Sequence, residues 1–310
     1  METGTIECRA LTKRYGKETL ALSKVSFSIP TRGIFALIGR NGAGKTTLIR
    51  ILATELAPTS GTASINGIDV IREPERIRAA IAVLPQEARA IPWLTAEQEV
   101  FSSLLYRGIG YAESKRRTAA VLEEFGLAKY KAMPSRKLSG GTKRKLLVAA
   151  IVATGAKILF VDEPTTGLDP LSRAEMWTVL NRLKKDHFIF LTTHYLEEAE
   201  RLADNIGIID RGRLMGIGTL DKLRKRFRYQ YSIRILKPGH AIKPRHGEAI
   251  IGADGTMQIL TTEDEANKLS SELIKGRVRF SMNPLSLEDI FYYLVKKPIE
   301  EEETGGGEEW

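Results

Sequence analysis

The sequence predicts an α/β fold with a parallel core sheet, flanking helices and a helical insert, followed by a small C-terminal α+β domain. Three observations carry that reading. The apolar run Ile34–Ile38 leads directly into Gly39-Arg40-Asn41-Gly42-Ala43-Gly44-Lys45-Thr46-Thr47, and helix-compatible spacing follows through Leu48–Leu52. From Ile158 to Ile209, short apolar runs alternate with helical patterns, which is the mark of a right-handed, wound parallel sheet. Beyond about residue 220 the character changes: residues 1–220 hold 32 basic and 23 acidic residues and residues 221–310 hold 15 and 15, so the net charge of +9 lies wholly in the first part.

Taken in order, residues 5–38 read as strands at Ile6–Leu11, Leu20–Ile29 and Ile34–Ile38. Short strands follow over 60–85, with a turn at Asn66-Gly67, a helical piece at Pro74–Ala80 and a strand Ile81–Leu84 ending at Pro85. Thr95 to Tyr130 is helical in pattern, opened by the capping box Thr95-Ala96-Glu97-Gln98. A helix Thr142–Thr154 precedes the strand Ile158–Val161. Then come a helix Ser172–Lys185, a strand Phe188–Leu191, a helix Tyr195–Ala203 and a strand Ile206–Ile209. Past Gly212–Arg228 the pattern gives strands at Gln230–Ile235 and on either side of Asp254-Gly255. A helix Asp264–Lys275 with a Thr262/Glu265 capping box, a strand Val278–Met282 and a last helix complete it.

Length and composition set the frame. At roughly 150 residues per domain, 310 residues suggest two units, and 43% hydrophobic with 27% charged residues is an ordinary globular composition. The single cysteine, Cys8, has no partner for an intrachain disulfide, and no apolar leader with a small-residue cleavage site opens the sequence, so the cytosol is the expected compartment. The apolar stretch Leu146–Val161 contains Lys157 and falls short of the roughly 20 residues that a membrane span needs. The basic excess in the first part leaves nucleic acid, membrane headgroups or a polyphosphate as candidate partners.

Gly39 to Thr46 fits G-x-x-x-x-G-K-[ST]. Glycine lets the backbone approach phosphate closely, Lys45 reaches the β- and γ-phosphates, and the Thr46 hydroxyl suits magnesium. Ile158-Leu159-Phe160-Val161-Asp162-Glu163 is an apolar strand that delivers two carboxylates at its carboxyl end, where ligands bind in open α/β sheets. Asp162 suits magnesium, directly or through its hydration shell, and Glu163 suits removal of a proton from the attacking water.

Leu138-Ser139-Gly140-Gly141, ahead of Asp162-Glu163, resembles the signature of ATP-binding cassette (ABC) proteins. Tyr15, the phosphate loop, Gln86, the signature, Asp162-Glu163, and Gly167-Leu168-Asp169 followed by His194 all stand in that family's order, over about residues 5–220. The resemblance implies a P-loop NTPase cassette over 1–222, with a mixed β subdomain, a parallel core sheet and a helical insert at about 95–155. It further implies binding and hydrolysis of ATP with Mg2+. In such a cassette Tyr15 stacks on adenine, and Gly39, Asn41, Gly42, Ala43, Gly44, Lys45, Thr46 and Thr47 cradle the phosphates. Thr46, Gln86 and Asp162 attend the metal. Ser139, Gly140 and Gly141 clamp a γ-phosphate across a head-to-tail dimer, Asp169 links the two sites, and Glu163, His194, Gln86 and Lys45 serve the chemistry. Thr142 departs from the pattern, which commonly has Gln there.

The remainder, 223–298, reads as a small α+β accessory domain, and 299–310 as an acidic, Gly-rich tail. Asn283-Pro284-Leu285-Ser286-Leu287-Glu288-Asp289-Ile290-Phe291 and Gly216–Leu223 resemble stretches of drug-exporter-type cassette subunits. Ser286 and Asp289 form a capping box, and Leu287, Ile290, Phe291 and Leu294 share one helical face, expected to dock on the same or a second subunit's extension. The resemblance implies a second cassette, most simply a homodimer, and a separate polytopic membrane partner at the cytoplasmic face of the membrane, with coupling segments near Gln86 and Trp93. A cassette acting on ribosomes, nucleic acid or iron–sulfur assembly is the alternative. Seven basic residues and no acid lie between Lys129 and Lys145, around the signature, which suits a second subunit's ATP phosphates and makes nucleic acid the least expected partner. His187, His240 and His246 lack metal-ligand spacing.

Overall fold

A computed structural model describes residues 4–235, 248–251 and 256–296. The Asp254-Gly255 turn, His240, His246 and the 299–310 tail lie outside the described residues. The chain forms two compact units, the first ending at Met215 and the second beginning at Gly216. The division falls before the 222/223 boundary read from the sequence, because the short helix that follows Thr219 packs within the second unit.

The first unit runs β1 (Thr5–Tyr15), β2 (Thr19–Pro30), β3 (Ile34–Ile38), α1 (Lys45–Leu52), β4 (Ser60–Ile65), β5 (Ile68–Asp69), α2 (Pro74–Ala80), β6 (Ile81–Leu84), α3 (Ala96–Tyr106), α4 (Tyr111–Glu124), α5 (Gly140–Ala153), β7 (Ile158–Asp162), α6 (Pro170–Leu183), β8 (Phe188–Thr193), α7 (Leu196–Leu202), β9 (Asn205–Asp210) and the start of β10 (Arg213–Gly218), within which the division falls. One sheet has the order β2-β1-β4-β5, with every pair antiparallel. The core sheet has the order β10-β9-β3-β8-β7-β6, and its strands from β9 through β6 pair in parallel. Helices cover both faces of such a sheet, which is why β3, β7 and β8 are buried along their whole length and read as unbroken apolar runs.

Aromatic rings tie the sheets together. Phe35 on β3 stands 4.9 Å from Phe190 on β8, which stands 5.5 Å from Phe160 on β7, while Phe27 on β2 stacks on Phe35 at 6.1 Å. The insert is three packed helices, α3, α4 and α5. Thr95 opens α3 through the expected box, with Gln98 N donating to Thr95 Oγ1 at 3.2 Å and Thr95 N donating to Gln98 Oε1 at 2.9 Å. The helical pattern over 95–130 breaks at Gly108-Ile109-Gly110 and again after Phe125.

The second unit comprises α8 (Leu220–Lys225), β11 (Tyr231–Ile235), β12 (Glu248–Ile251), β13 (Met257–Thr261), α9 (Glu263–Lys275), β14 (Phe280–Pro284) and α10 (Leu287–Lys296). Its sheet is antiparallel in the order β12-β13-β11-β14, and α9 seals a core of Ile233, Ile235, Met257, Ile259, Ala266 and Leu273. The Thr262/Glu265 capping box does not form; Thr262 makes no side-chain cap, and Glu263, Asp264 and Glu265 instead place negative charge on the first turn. The last strand starts two residues later than the pattern predicts. Val278 N donates to Leu273 O at 2.9 Å and Arg277 N to Ile274 O at 3.1 Å, with Arg277 left-handed at φ 50°, so Val278 closes α9 before β14 can begin. The Ser286/Asp289 box does form, at 2.9 and 3.2 Å. Leu287, Ile290 and Leu294 are buried, and α10 packs on α8 of its own chain.

Phe190→Ala should cost about 3–5 kcal/mol of stability, because the ring is fully buried between two others. Urea unfolding measured by tryptophan fluorescence checks this value.

Candidate nucleotide site

The parallel register brings three strand ends to one place. Ile38 on β3 lies opposite Thr193 on β8, and Thr192 lies opposite Asp162 on β7. The glycine loop after β3, the Asp162-Glu163 pair at the end of β7, and Thr192-Thr193-His194 at the end of β8 therefore converge. Gly44 caps α1 at φ 106°, and a Cβ there would stand 2.5 Å from Ala21 O, so glycine is required on both conformational and steric grounds.

Lys45, the first residue of α1, is buried. Its Nζ donates to Gly39 O at 2.8 Å and Arg40 O at 3.2 Å, and lies 3.2 Å from Glu163 Oε1. The second Glu163 oxygen, Oε2, accepts from Gln86 Nε2 at 3.2 Å and Thr166 Oγ1 at 3.0 Å, and faces His194 Nδ1 at 3.0 Å. A buried carboxylate is tolerable only with such a shell of donors. Beside it, Asp162 accepts from Thr46 Oγ1 at 2.8 Å and from the Thr192 hydroxyl. Burial still pushes the Asp162 carboxyl above the usual range, against the lowering effect of those two bonds.

Glu163 has a left-handed backbone, φ 46°, a strained conformation for a residue with a Cβ. Its amide is held by Thr192 O at 3.1 Å and Thr192 Oγ1 at 3.2 Å. Its carbonyl accepts from Arg144 Nη2 at 3.3 Å, and the same guanidinium donates to Asp162 O and Pro164 O, each at 3.0 Å, and to Pro85 O at 3.4 Å. In the sequence Arg144 belongs to the basic cluster expected to face a second subunit. The structure buries it against this site instead, and Lys145 pairs with Glu175 at 2.8 Å. The signal was present: Gly140, Arg144 and Val148 recur every four residues, so Arg144 shares a helical stripe with a core residue. Thr192 and Thr166 carry no motif in the sequence that marks them as part of the site.

Lys45, Thr46, Gln86, Asp162, Glu163 and His194 thus form one hydrogen-bonded constellation. Asn41 and Gly42 are exposed at the loop's tip, Ala43 and Gly44 are buried in its wall, and Thr47 follows in the first turn of α1. Tyr15 stands apart at the end of β1, 40% exposed, with Lys13 Nζ 5.4 Å from its ring centre. Ser139 caps α5 by accepting from Thr142 N at 3.2 Å, and Gly140 and Gly141 open the helix. A Cβ on Gly141 would stand 2.4 Å from Ser172 Oγ. Asp169 caps α6 through Ser172, at 3.0 Å to the amide and 2.6 Å to the hydroxyl, and these bonds hold its carboxyl below the usual range. The signature and Asp169 are therefore neighbours of each other. A cavity of about 650 Å³ is lined by Gln86, Gly140 of the signature and Leu168, with Arg89, Arg136, Lys143 and Glu163 among others. His187 is structural, with Nδ1 2.8 Å from Ala156 O.

The ABC transporter family profile matches residues 22–166. The daunorubicin/doxorubicin resistance ATP-binding protein DrrA of Streptomyces peucetius is 32% identical over 318 residues, an alignment that covers 97% of this chain and 96% of that one. The chain belongs to the ATP-binding subunits of ABC transporters. A daunorubicin resistance ATP-binding protein of Streptomyces coeruleorubidus is 40% identical across 68% of this chain and 67% of its own. A solved ATP-binding subunit of an ABC transporter superposes with a TM-score of 0.63 at 33% identity, covering 72% of this chain and 92% of that one. This ABC subunit is a P-loop ATPase cassette, and no helix among its described residues is long and apolar enough to cross a membrane.

Arg144→Ala should lower ATP turnover at least about tenfold with little change in KM for ATP, because it leaves strand-end carbonyls unpaired and frees the Glu163 backbone. Arg144→Lys should recover only a part, since one ammonium cannot span the same carbonyls. Steady-state kinetics of both variants check this.

Proposed function

We propose that this chain is the ATPase of an exporter-type transporter. Two copies bind head to tail around two ATP molecules and drive a separate polytopic membrane subunit from the cytoplasmic face of the membrane. The observation that carries the proposal is the constellation at Glu163. Its carboxylate is aimed into the site and collects Gln86, Thr166, His194 and Lys45.

Arriving nucleotide draws Lys45 away from Glu163 onto the β- and γ-phosphates, with the loop from Gly39 to Thr47 around them and Tyr15 under the base. Glu163, released from that ion pair, takes the proton of the attacking water. Gln86 orients the water and His194 donates to the γ-phosphate. The adjoining hydroxyl of Thr46 and carboxylate of Asp162 are hard oxygen ligands suited to Mg2+, and the Gln86 amide oxygen would serve as a further one. When bound, that ion neutralises charge on the phosphate oxygens. Ser139, Gly140 and Gly141 of one copy close over ATP held by the other, using the amides of the α5 N-terminus, and Asp169 beside them reports across the interface. ATP closes the pair and hydrolysis reopens it, which the membrane subunit converts into alternating access.

The groove beside Gln86 has Arg89, Arg136 and Lys143 in its wall, and the exposed Ile91 and Trp93 flank its lining residue Pro92 in the chain, which supports docking of the membrane subunit there. The export reading draws on the drug-resistance relatives, one of which aligns along nearly the whole chain, including its second unit.

Glu163→Gln should give a dimer on size exclusion with ATP but not ADP, and turnover lowered at least about 100-fold; full turnover would contradict the base assignment. Lys45→Ala should abolish nucleotide binding, and wild-type binding would show the loop to be idle. Purification from detergent-solubilised membranes should recover a polytopic protein with the chain, whereas recovery with ribosomes or nucleic acid would favour the soluble alternative.

A further inference from the structure

The signature carries Thr142 where Gln is common, and the geometry gives that residue a task. Ser139 Oγ accepts from Thr142 N at 3.2 Å, and Thr142 Oγ1 lies 2.8 Å from the same oxygen. A serine hydroxyl has two acceptor lone pairs and one proton. The amide takes one lone pair. If Thr142 Oγ1 donates to the other, the Ser139 proton becomes the only hydrogen-bonding capacity left on that oxygen, and it must find an acceptor outside the helix.

One observation favours that direction, and a second shows that the turn holding the pair is fixed in place. A helical threonine ordinarily donates to a carbonyl one turn earlier, yet among the described residues Ser139 Oγ is the only hydrogen-bond partner of the Thr142 hydroxyl. The first turn of α5 is also fixed from outside, because Gly141 lies against Ser172, which Asp169 holds at 2.6 and 3.0 Å. Ser139 itself is exposed, so its proton faces open space rather than protein.

We propose that Thr142 is a positioning residue for ATP held by a second copy of the chain. Its hydroxyl donates to Ser139 Oγ and thereby commits the Ser139 proton to the γ-phosphate. Among the described residues the partner of the threonine hydroxyl is Ser139 Oγ, so it acts through Ser139. This inference rests on the head-to-tail arrangement proposed above.

The test places Thr142→Val and Thr142→Ser in the Glu163→Gln background and follows dimer formation against ATP concentration by size exclusion. Valine keeps the shape and the backbone cap but removes the hydroxyl; serine keeps the hydroxyl. The expected result is a half-maximal ATP concentration raised about tenfold by valine and changed less than about twofold by serine. ADP binding and melting temperature should match the parent in both, since ADP lies on the chain's own phosphate loop. Equal ATP dependence for parent and valine variant would overturn the assignment. So would a serine variant as impaired as valine, or a parallel loss of ADP binding and melting temperature, which would mark a merely structural role. If the Glu163→Gln parent does not dimerise with ATP, the head-to-tail arrangement itself is wrong and the Thr142 assignment falls with it; a dimerising parent isolates the question to Thr142.

Discussion

The buried contact between Lys45 and Glu163, 3.2 Å apart, organises the first unit. Neither group could sit there alone. An unpaired charge in such surroundings costs about 3–5 kcal/mol relative to the pair, and each side chain collects further hydrogen bonds to make the site tolerable. Lys45 folds back onto the carbonyls of its own loop, while Glu163 gathers an amide, a hydroxyl and an imidazole. The pair holds together the two groups that a nucleotide triphosphate separates, one drawn to phosphate and the other left to face water.

The scaffold delivers that contact through topology. Parallel pairing of β3, β8 and β7 sets three carboxyl ends side by side, and each end carries part of the site. Glu163 needs more than a strand end, because its left-handed backbone has to be held on both sides. Thr192 from the neighbouring strand holds its amide, and Arg144 from the signature helix holds its carbonyl. Movement of that helix would therefore be felt directly by the carboxylate, through a single guanidinium.

The sequence showed the parallel core and most of this site, for definite physical reasons. Strands buried on both faces must be apolar throughout, so Ile34–Ile38 and Ile158–Val161 stand out without any alignment. A glycine loop between such a strand and a helix has few other uses. Arg144 was hidden because a basic residue in a basic run looks solvated, and only its helical phase showed that it points inward. Thr192 and Thr166 were hidden because hydroxyl donors recur throughout any chain. The boundaries of the second unit are less legible in the sequence. The α9 ending uses Arg277 in a left-handed conformation, one residue after Gly276 where such a turn would be expected, and that displacement moved the following strand.

Exchange of partners at Lys45 is the central event at this site, and a crystal structure of the wild-type chain with a non-hydrolysable ATP analogue and magnesium tests it most directly. The predicted result has Lys45 Nζ within hydrogen-bond distance of the β- and γ-phosphate oxygens and Glu163 turned toward a water in line with the γ-phosphorus. A structure in which the analogue fills the loop while Lys45 stays paired with Glu163 would contradict it.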